Sequence, residues 1–213
     1  MRTSPVTALA AALTVTACGA AAGAASNPGR FWHVAFDGYG HVTWSTHAGA
    51  VRVTLLPARP ASAAATHSAL VLSRRSWRDL AVEIRIRTNR QLRRPSPNPW
   101  EVGWVLWHYR GDRHFYFIIL KPNGWELGKE GPAYPGNQRF LATGTEPAFP
   151  PGRWYTIGIQ QRGNVIAAEA DGHHLARVTD TGTPYRWGQV GLYCEDASAT
   201  FQPVAIGAAP GRS

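Results

Sequence analysis

PWEVGWVLWHYRGDRHFYFIILKPNGWELGKE, residues 99–130, concentrates four of the nine tryptophans, Trp100, Trp104, Trp107 and Trp125. Tyr109, Phe115, Tyr116 and Phe117 lie among them, with both lysines (Lys121, Lys129) and three glutamates (Glu101, Glu126, Glu130). Aromatic and β-branched residues at this density suit a pleated, half-buried surface rather than a helix. Residues 110–113 read as a tight connection, and Asn123-Gly124 is a strong hairpin signal. The segment therefore predicts a meander of three strands, over about 100–109, 114–121 and 125–130. Pairing Tyr109 with His114 sets Trp107 opposite Tyr116 and Trp104 opposite Ile119. A two-residue Asn123-Gly124 turn sets Lys121 opposite Glu126.

The flanking sequence repeats the same grammar. Upstream, Leu80, Val82, Ile84 and Ile86 alternate with Ala81, Glu83, Arg85 and Arg87, the period of a strand with one buried and one wet face. Downstream, residues 154–161, 165–170, 174–179, 188–194 and 199–206 are short apolar runs separated by turns such as Asp171-Gly172. The proline-punctuated stretch 131–152 reads as a long loop, as does 88–99. No helix longer than about a turn is expected, and evenly spaced short strands imply a sandwich or barrel. The fold class expected is all-β.

The first residues carry a different signal. Arg2 precedes an apolar run, residues 6–15, too short to span a bilayer as a stable helix. Val15-Thr16-Ala17-Cys18 looks like a lipobox, in which a cysteine is acylated and becomes the first mature residue. The expected organisation is a signal peptide over 1–17 and a flexible tether over 18–30. A β-sandwich over 31–208 and a tail over 209–213 complete it. The protein is expected to be exported and held on the outer face of the cell membrane by lipid at Cys18, with secretion as the alternative. Two or three acyl chains suffice for a stable anchor. The formal charge is +9, almost entirely arginine. The codon bias of a GC-rich genome accounts for such a balance; attraction to anionic polymers or lipid headgroups is the functional alternative. No helix-turn-helix, zinc-finger or RNA-binding signature accompanies it, so no nucleic-acid partner is expected. Arg110-Gly111-Asp112 matches the integrin tripeptide by letters, inside a hairpin turn that accounts for it.

The order of features in the second half is distinctive. Residues 103–109 (GWVLWHY), 113–116 (RHFY) and 124–129 (GWELGK) come first. Residues 154–159 (WYTIGI), Asp171-Gly172, 188–193 (GQVGLY) and 201–204 (FQPV) follow. This resembles the concanavalin A-like jelly roll of laminin-G-type domains, and is most similar to the bacterial DUF1080, or 3-keto-disaccharide hydrolase, domains. The resemblance spans roughly residues 31–208. It implies two antiparallel sheets packed face to face, a carbohydrate groove on the concave face, and a calcium site on the rim. Asp37, Gly38 and Gly40 resemble the family's calcium loop. The usual partner aspartate in the closing strand is here replaced by Gln202.

The residues offer candidates for that groove. Glycoside hydrolysis needs two carboxylates, about 5.5 Å apart for retention or about 6.5–9.5 Å for inversion. Glu101 and Glu126 each sit beside a tryptophan and are the catalytic candidates. Trp100, Trp107, Tyr116, Lys121 and Trp125 are the substrate-binding candidates, and Trp104 reads as core. The alternative for the glutamates is structural: a Lys121–Glu126 cross-strand ion pair and a rim position for Glu101. The two-glutamates-and-aspartate motif of family 16 hydrolases is absent. Cys194, without a partner if Cys18 is acylated, reads as a buried small hydrophobe. The expected function is glycan or polysaccharide binding by a monomer, with glycoside hydrolysis and a purely structural surface role as alternatives.

Overall fold

The computed structural model describes residues 28–210. The signal segment, Cys18, most of the tether and the end of the tail lie outside the described residues. After one helical turn at Pro28–Phe31 the chain forms β1 (Trp32–Phe36), β2 (His41–His47), β3 (Ala50–Leu56), β4 (Ser68–Trp77) and β5 (Leu80–Gln91). Next come β6 (Gly103–Tyr109), β7 (Phe115–Lys121), β8 (Gly124–Glu130) and β9 (Gln138–Gly144). The chain continues with β10 (Tyr155–Arg162), β11 (Val165–Ala170), β12 (His173–Thr179), β13 (Gly188–Glu195) and β14 (Ala197–Ala208).

These strands make two seven-stranded antiparallel sheets. Sheet I has the order β1-β4-β13-β6-β7-β8-β9, and sheet II the order β12-β11-β10-β5-β14-β3-β2. They pack as an all-β sandwich. Sheet I contributes Val71, Val105, Trp107, Tyr116, Ile118, Trp125 and Leu127 to the core between them. Sheet II answers with Val53, Leu55, Val82, Ile84, Ile157, Ile159 and Phe201. Each such side chain contributes roughly 1.5–3 kcal/mol by leaving water. The period-two pattern of β5 holds for its core face, with Arg85 and Arg87 turned outward.

The meander has the anticipated β6–β7 register: Trp104 faces Ile119 and Trp107 faces Tyr116. The β7–β8 turn has the expected two residues but lies one residue earlier. Lys121 pairs with Gly124 and Ile119 with Glu126, so Pro122-Asn123 form the turn and Gly124 opens β8. Gly124 sits at φ +122, and a Cβ there would lie 2.0 Å from the Gly144 carbonyl oxygen of β9. Glycine is thus required by both backbone conformation and the close neighbour. The 131–152 stretch is less irregular than its prolines suggested, because residues 138–144 pair with β8 as the edge strand β9. Pro203 is accommodated inside β14 at a register shift, where a missing N–H breaks no regular ladder.

Candidate functional site

Both faces of the β6–β8 meander are apolar. One faces the core; the other is the outer surface of sheet I, where Leu70, Leu72, Val102, Trp104, Leu106, Phe117 and Ile119 form a second hydrophobic cluster. An aromatic run crosses this face from strand to strand. Tyr193 of β13 meets Trp104 of β6 edge-on at 5.5 Å, and Trp104 meets Phe117 of β7 at 5.1 Å. Phe117 meets Phe140 of β9 at 6.3 Å, and Tyr109 and Phe115 stack at 5.6 Å at one end. Gly128 of β8 leaves room for this run, since a Cβ there would stand 2.5 Å from the tip of the Phe117 ring. Trp104 is 7 % exposed, while Phe140 is 48 % exposed and presents the run to solvent.

Polar groups border the aromatics. Alternation on β8 places Glu126 and Glu130 on this outer face with Gly128. Lys121 donates to Glu126 as the expected ion pair, but diagonally, two residues off the direct pairing. Gln138 donates to Glu130 at 3.1 Å, and the Tyr193 hydroxyl donates to Glu195 at 3.0 Å. Burial pushes the Glu130 carboxyl up to about 7, against the Gln138 hydrogen bond and with the Glu195 charge adding to the rise. Burial raises Glu195 as well. Glu126 and Glu130 are four residues apart, ~13 Å along an extended strand. That exceeds the ~5.5–9.5 Å separation of paired hydrolase carboxylates.

Several expected site residues lie elsewhere. Trp107, Tyr116 and Trp125 are not in a groove; their side chains point between the sheets. The Trp107 indole N–H donates to Gln161 at 2.6 Å, that of Trp125 to the Glu146 carbonyl at 3.0 Å, and the Tyr116 hydroxyl to Asp180 at 2.6 Å. Trp104 is buried as expected, but beneath the outer face. Trp100 is 44 % exposed in the loop before β6, and its carbonyl accepts the Trp104 indole N–H at 2.9 Å.

Glu101 is on no open surface. It is fully buried against Arg93, which also contacts Asp196. The Arg93 guanidinium donates further to the carbonyls of Ala63 at 2.8 Å and Ala65 at 3.1 Å, and Asn98 donates to Glu101 at 2.8 Å. Asp196 also accepts the His67 backbone N–H at 2.8 Å. This knot ties the loop after β3, the end of β5, the entry to β6 and the β13–β14 turn together. Glu101 is therefore a structural anion, unavailable to protonate a glycosidic oxygen.

The residues expected to hold calcium do not converge. Asp37 accepts the Tyr39 N–H at 3.1 Å in a local turn. Gly40 packs on Leu56 and Pro57, whereas the Gln202 amide oxygen accepts from Arg52 at 3.0 Å. Leu56 and Arg52 are four residues apart on β3, ~13 Å along the strand. Gln202 thus lies outside the Asp37 turn and beside a cation. Among the described residues no cluster of three or more histidine, cysteine or acidic side chains is placed to hold a metal. Cys194 is a free, fully buried thiol in the core, and burial pushes its pKa up, so it is no nucleophile.

Sequence reasoning passed over Phe140, Tyr193, Glu130 and Glu195 as site residues. Phe140 lies in the proline-punctuated stretch that reads as a loop, and Tyr193 and Glu195 join the face only through the pairing of β13 with β6. Lys129, fully buried, closes the end of the sandwich. Its ammonium donates to Asp180 at 2.7 Å and sits 5.0–5.9 Å from the rings of Tyr185, Tyr134 and Tyr116. Burial alone would raise Asp180, but hydrogen bonds from Lys129 and Tyr116 hold it below its usual range.

No protein-family model and no curated protein sequence matches the chain. Solved structures do. The carbohydrate-binding module CBM66 from Bacillus subtilis superposes with a TM-score of 0.60 at 17 % identity, over 83 % of this chain and 95 % of that one. A β-1,3-1,4-glucanase (lichenase) from a mouse hindgut metagenome gives 0.56 at 13 % identity, over 83 % and 92 %. A Bacillus subtilis protein of unknown function with a galectin-like fold gives 0.55 at 11 %, over 85 % and 90 %. The fold is the concanavalin A-like jelly-roll sandwich that the order of sequence features implied.

Proposed function

We propose that the outer face of sheet I binds a glycan. The observation that carries this reading is the aromatic run Tyr193–Trp104–Phe117–Phe140, ending in an exposed ring and bordered by Lys121, Glu126, Glu130 and Gln138. Aromatic faces pack against the apolar faces of sugar rings, while carboxylates and amides take the hydroxyl groups. The similarity in fold to a carbohydrate-binding module and a glucanase supports the same reading. Export and a lipid anchor at Cys18 complete the proposal: a surface-held module retaining a saccharide near the cell.

Titration of a panel of neutral oligosaccharides, followed by tryptophan fluorescence and calorimetry, tests it. At least one saccharide binds without being cleaved, and Phe140→Ala weakens it about fivefold or more, as loss of an interface aromatic costs more than about 1 kcal/mol. Absence of binding across the panel, or indifference of the affinity to Phe140→Ala, removes the reading. The anchor is tested by palmitate labelling in the native host: the full chain labels, and a Cys18→Ala chain that still labelled would refute it.

One observation favours a second reading. Burial pushes the Glu130 carboxyl up to about 7, the range suited to a general acid. Hydrolysis predicts product release that Glu130→Gln abolishes while binding persists.

A further inference from the structure

The outer face of sheet II carries a feature the aromatic face does not explain. Alternation turns Arg52 of β3 and Arg85 and Arg87 of β5 outward, and all three converge on Trp154 at the entry to β10. Their guanidinium carbons lie 5.0, 5.3 and 5.1 Å from the indole centroid. Three cations gathered on one ring stand within a Debye length of each other, about 8–10 Å. None of them pairs with a carboxylate among the described residues, unlike Arg93, Lys121 and Lys129. Even Glu83, next on the same face of β5, forms no ion pair with them. Two of the three have neutral partners, Arg52 donating to Gln202 at 3.0 Å and Arg87 to Asn89 at 2.9 Å. Cation–π contact offsets part of the mutual repulsion. The rest would be relieved by an anion.

We propose that this cluster is a binding site for an acidic polysaccharide, one bearing uronate carboxylates or sulfate esters. The planar arginine fork matches both groups bidentately. Hydroxyl and amide side chains surround the cluster in register: Gln202 beside Arg85, and Thr200 beside Arg87 and Thr54. Such a border fits sugar hydroxyls. A membrane surface fits less well, because the exposed large apolar residues (Phe31, Val34, Phe36, Tyr39, Trp100, Phe140, Trp187) are not part of this cluster. Duplex DNA fits less well too, because among the described residues the helical turn Pro28–Phe31 is too short to enter a major groove. The site is independent of glycan binding on sheet I.

Calorimetry at low and moderate salt, with polygalacturonate, dextran sulfate and neutral dextran as probes, tests the proposal on the full chain. The acidic polymers bind and neutral dextran does not. Arg85→Gln/Arg87→Gln weakens binding about tenfold or more, the range for hydrogen bonds to charged groups. Arg85→Lys/Arg87→Lys, which keeps the charge and removes the fork, loses most of the same affinity. Unchanged melting temperatures confirm that the variants fold. Phe140→Ala leaves acidic-polymer binding unchanged, which separates this site from the one on sheet I. Equal binding of acidic polymers by the wild type and the glutamine variant overturns the proposal. So does absence of binding to both acidic polymers. Tighter arginine-dependent binding to phosphatidylglycerol vesicles or to duplex DNA than to either polymer also overturns it.

Discussion

Glu130 shows what one position on a face can do. Its carboxyl titrates near 7 in the folded protein and near 4.5 when exposed, because burial disfavours the charged form. The raised folded value means that the native state holds a proton which the unfolded chain has released. The resulting destabilisation is absent below about pH 4.5, grows between about 4.5 and 7, and is complete above 7. Glu130→Gln removes it: the variant melts higher than the wild type at pH 8 and alike at pH 4, as thermal scans across pH will show. The tryptophans make the complementary point. Strand parity requires Trp104 and Trp107 to point to opposite faces of β6. Because Val102, Trp104 and Leu106 are as apolar as Val105 and Trp107, hydrophobicity could not say which face was inner. That choice depends on where sheet II packs. Glu101 was equally opaque: Arg93, eight residues away, reaches it across an irregular loop, and Asp196, the second carboxylate on Arg93, comes from the β13–β14 turn.

At the scale of elements, turns and pairings decided what could be read. The β6–β7 register followed from a short connection and matched. At β7–β8 the Asn-Gly signal misplaced the turn by one residue, because Gly124 is needed where β9 crosses close by. An even shift of two in pairing keeps Glu126 on the same face, so the ion pair with Lys121 survived the error. β9 itself was hidden by the prolines around it, and Phe140 with it. Lys129 pins the segment around Asp180–Tyr185 to the end of β8. Lys129→Met leaves Asp180 buried without its cation, and breaking such a pair costs about 3–5 kcal/mol. Urea denaturation will register this as a lower midpoint at unchanged slope, and hydrogen exchange will place the loosening at residues 180–185.

For the whole molecule, the two-sheet sandwich was readable because its signals are redundant: period-two alternation, punctuating turns and an ordered set of motifs all point to one architecture. The site was less so. A binding face is assembled from strands far apart in sequence, and spacing along the chain carries no record of that adjacency. The expected calcium set illustrates it: Asp37 holds a local turn and Gln202 holds Arg52, although the family resemblance joined them.

The last two strands are inserted into the middle of both layers. β13 separates β4 from β6 in sheet I, and β14 separates β3 from β5 in sheet II. Until residues 188–208 have been synthesised, each layer is therefore two disconnected half-sheets with exposed edges, and neither can close. The order of assembly is set by this: the two halves of each layer stay unjoined until the final strands arrive. A chain truncated at residue 187 will show no cooperative thermal transition.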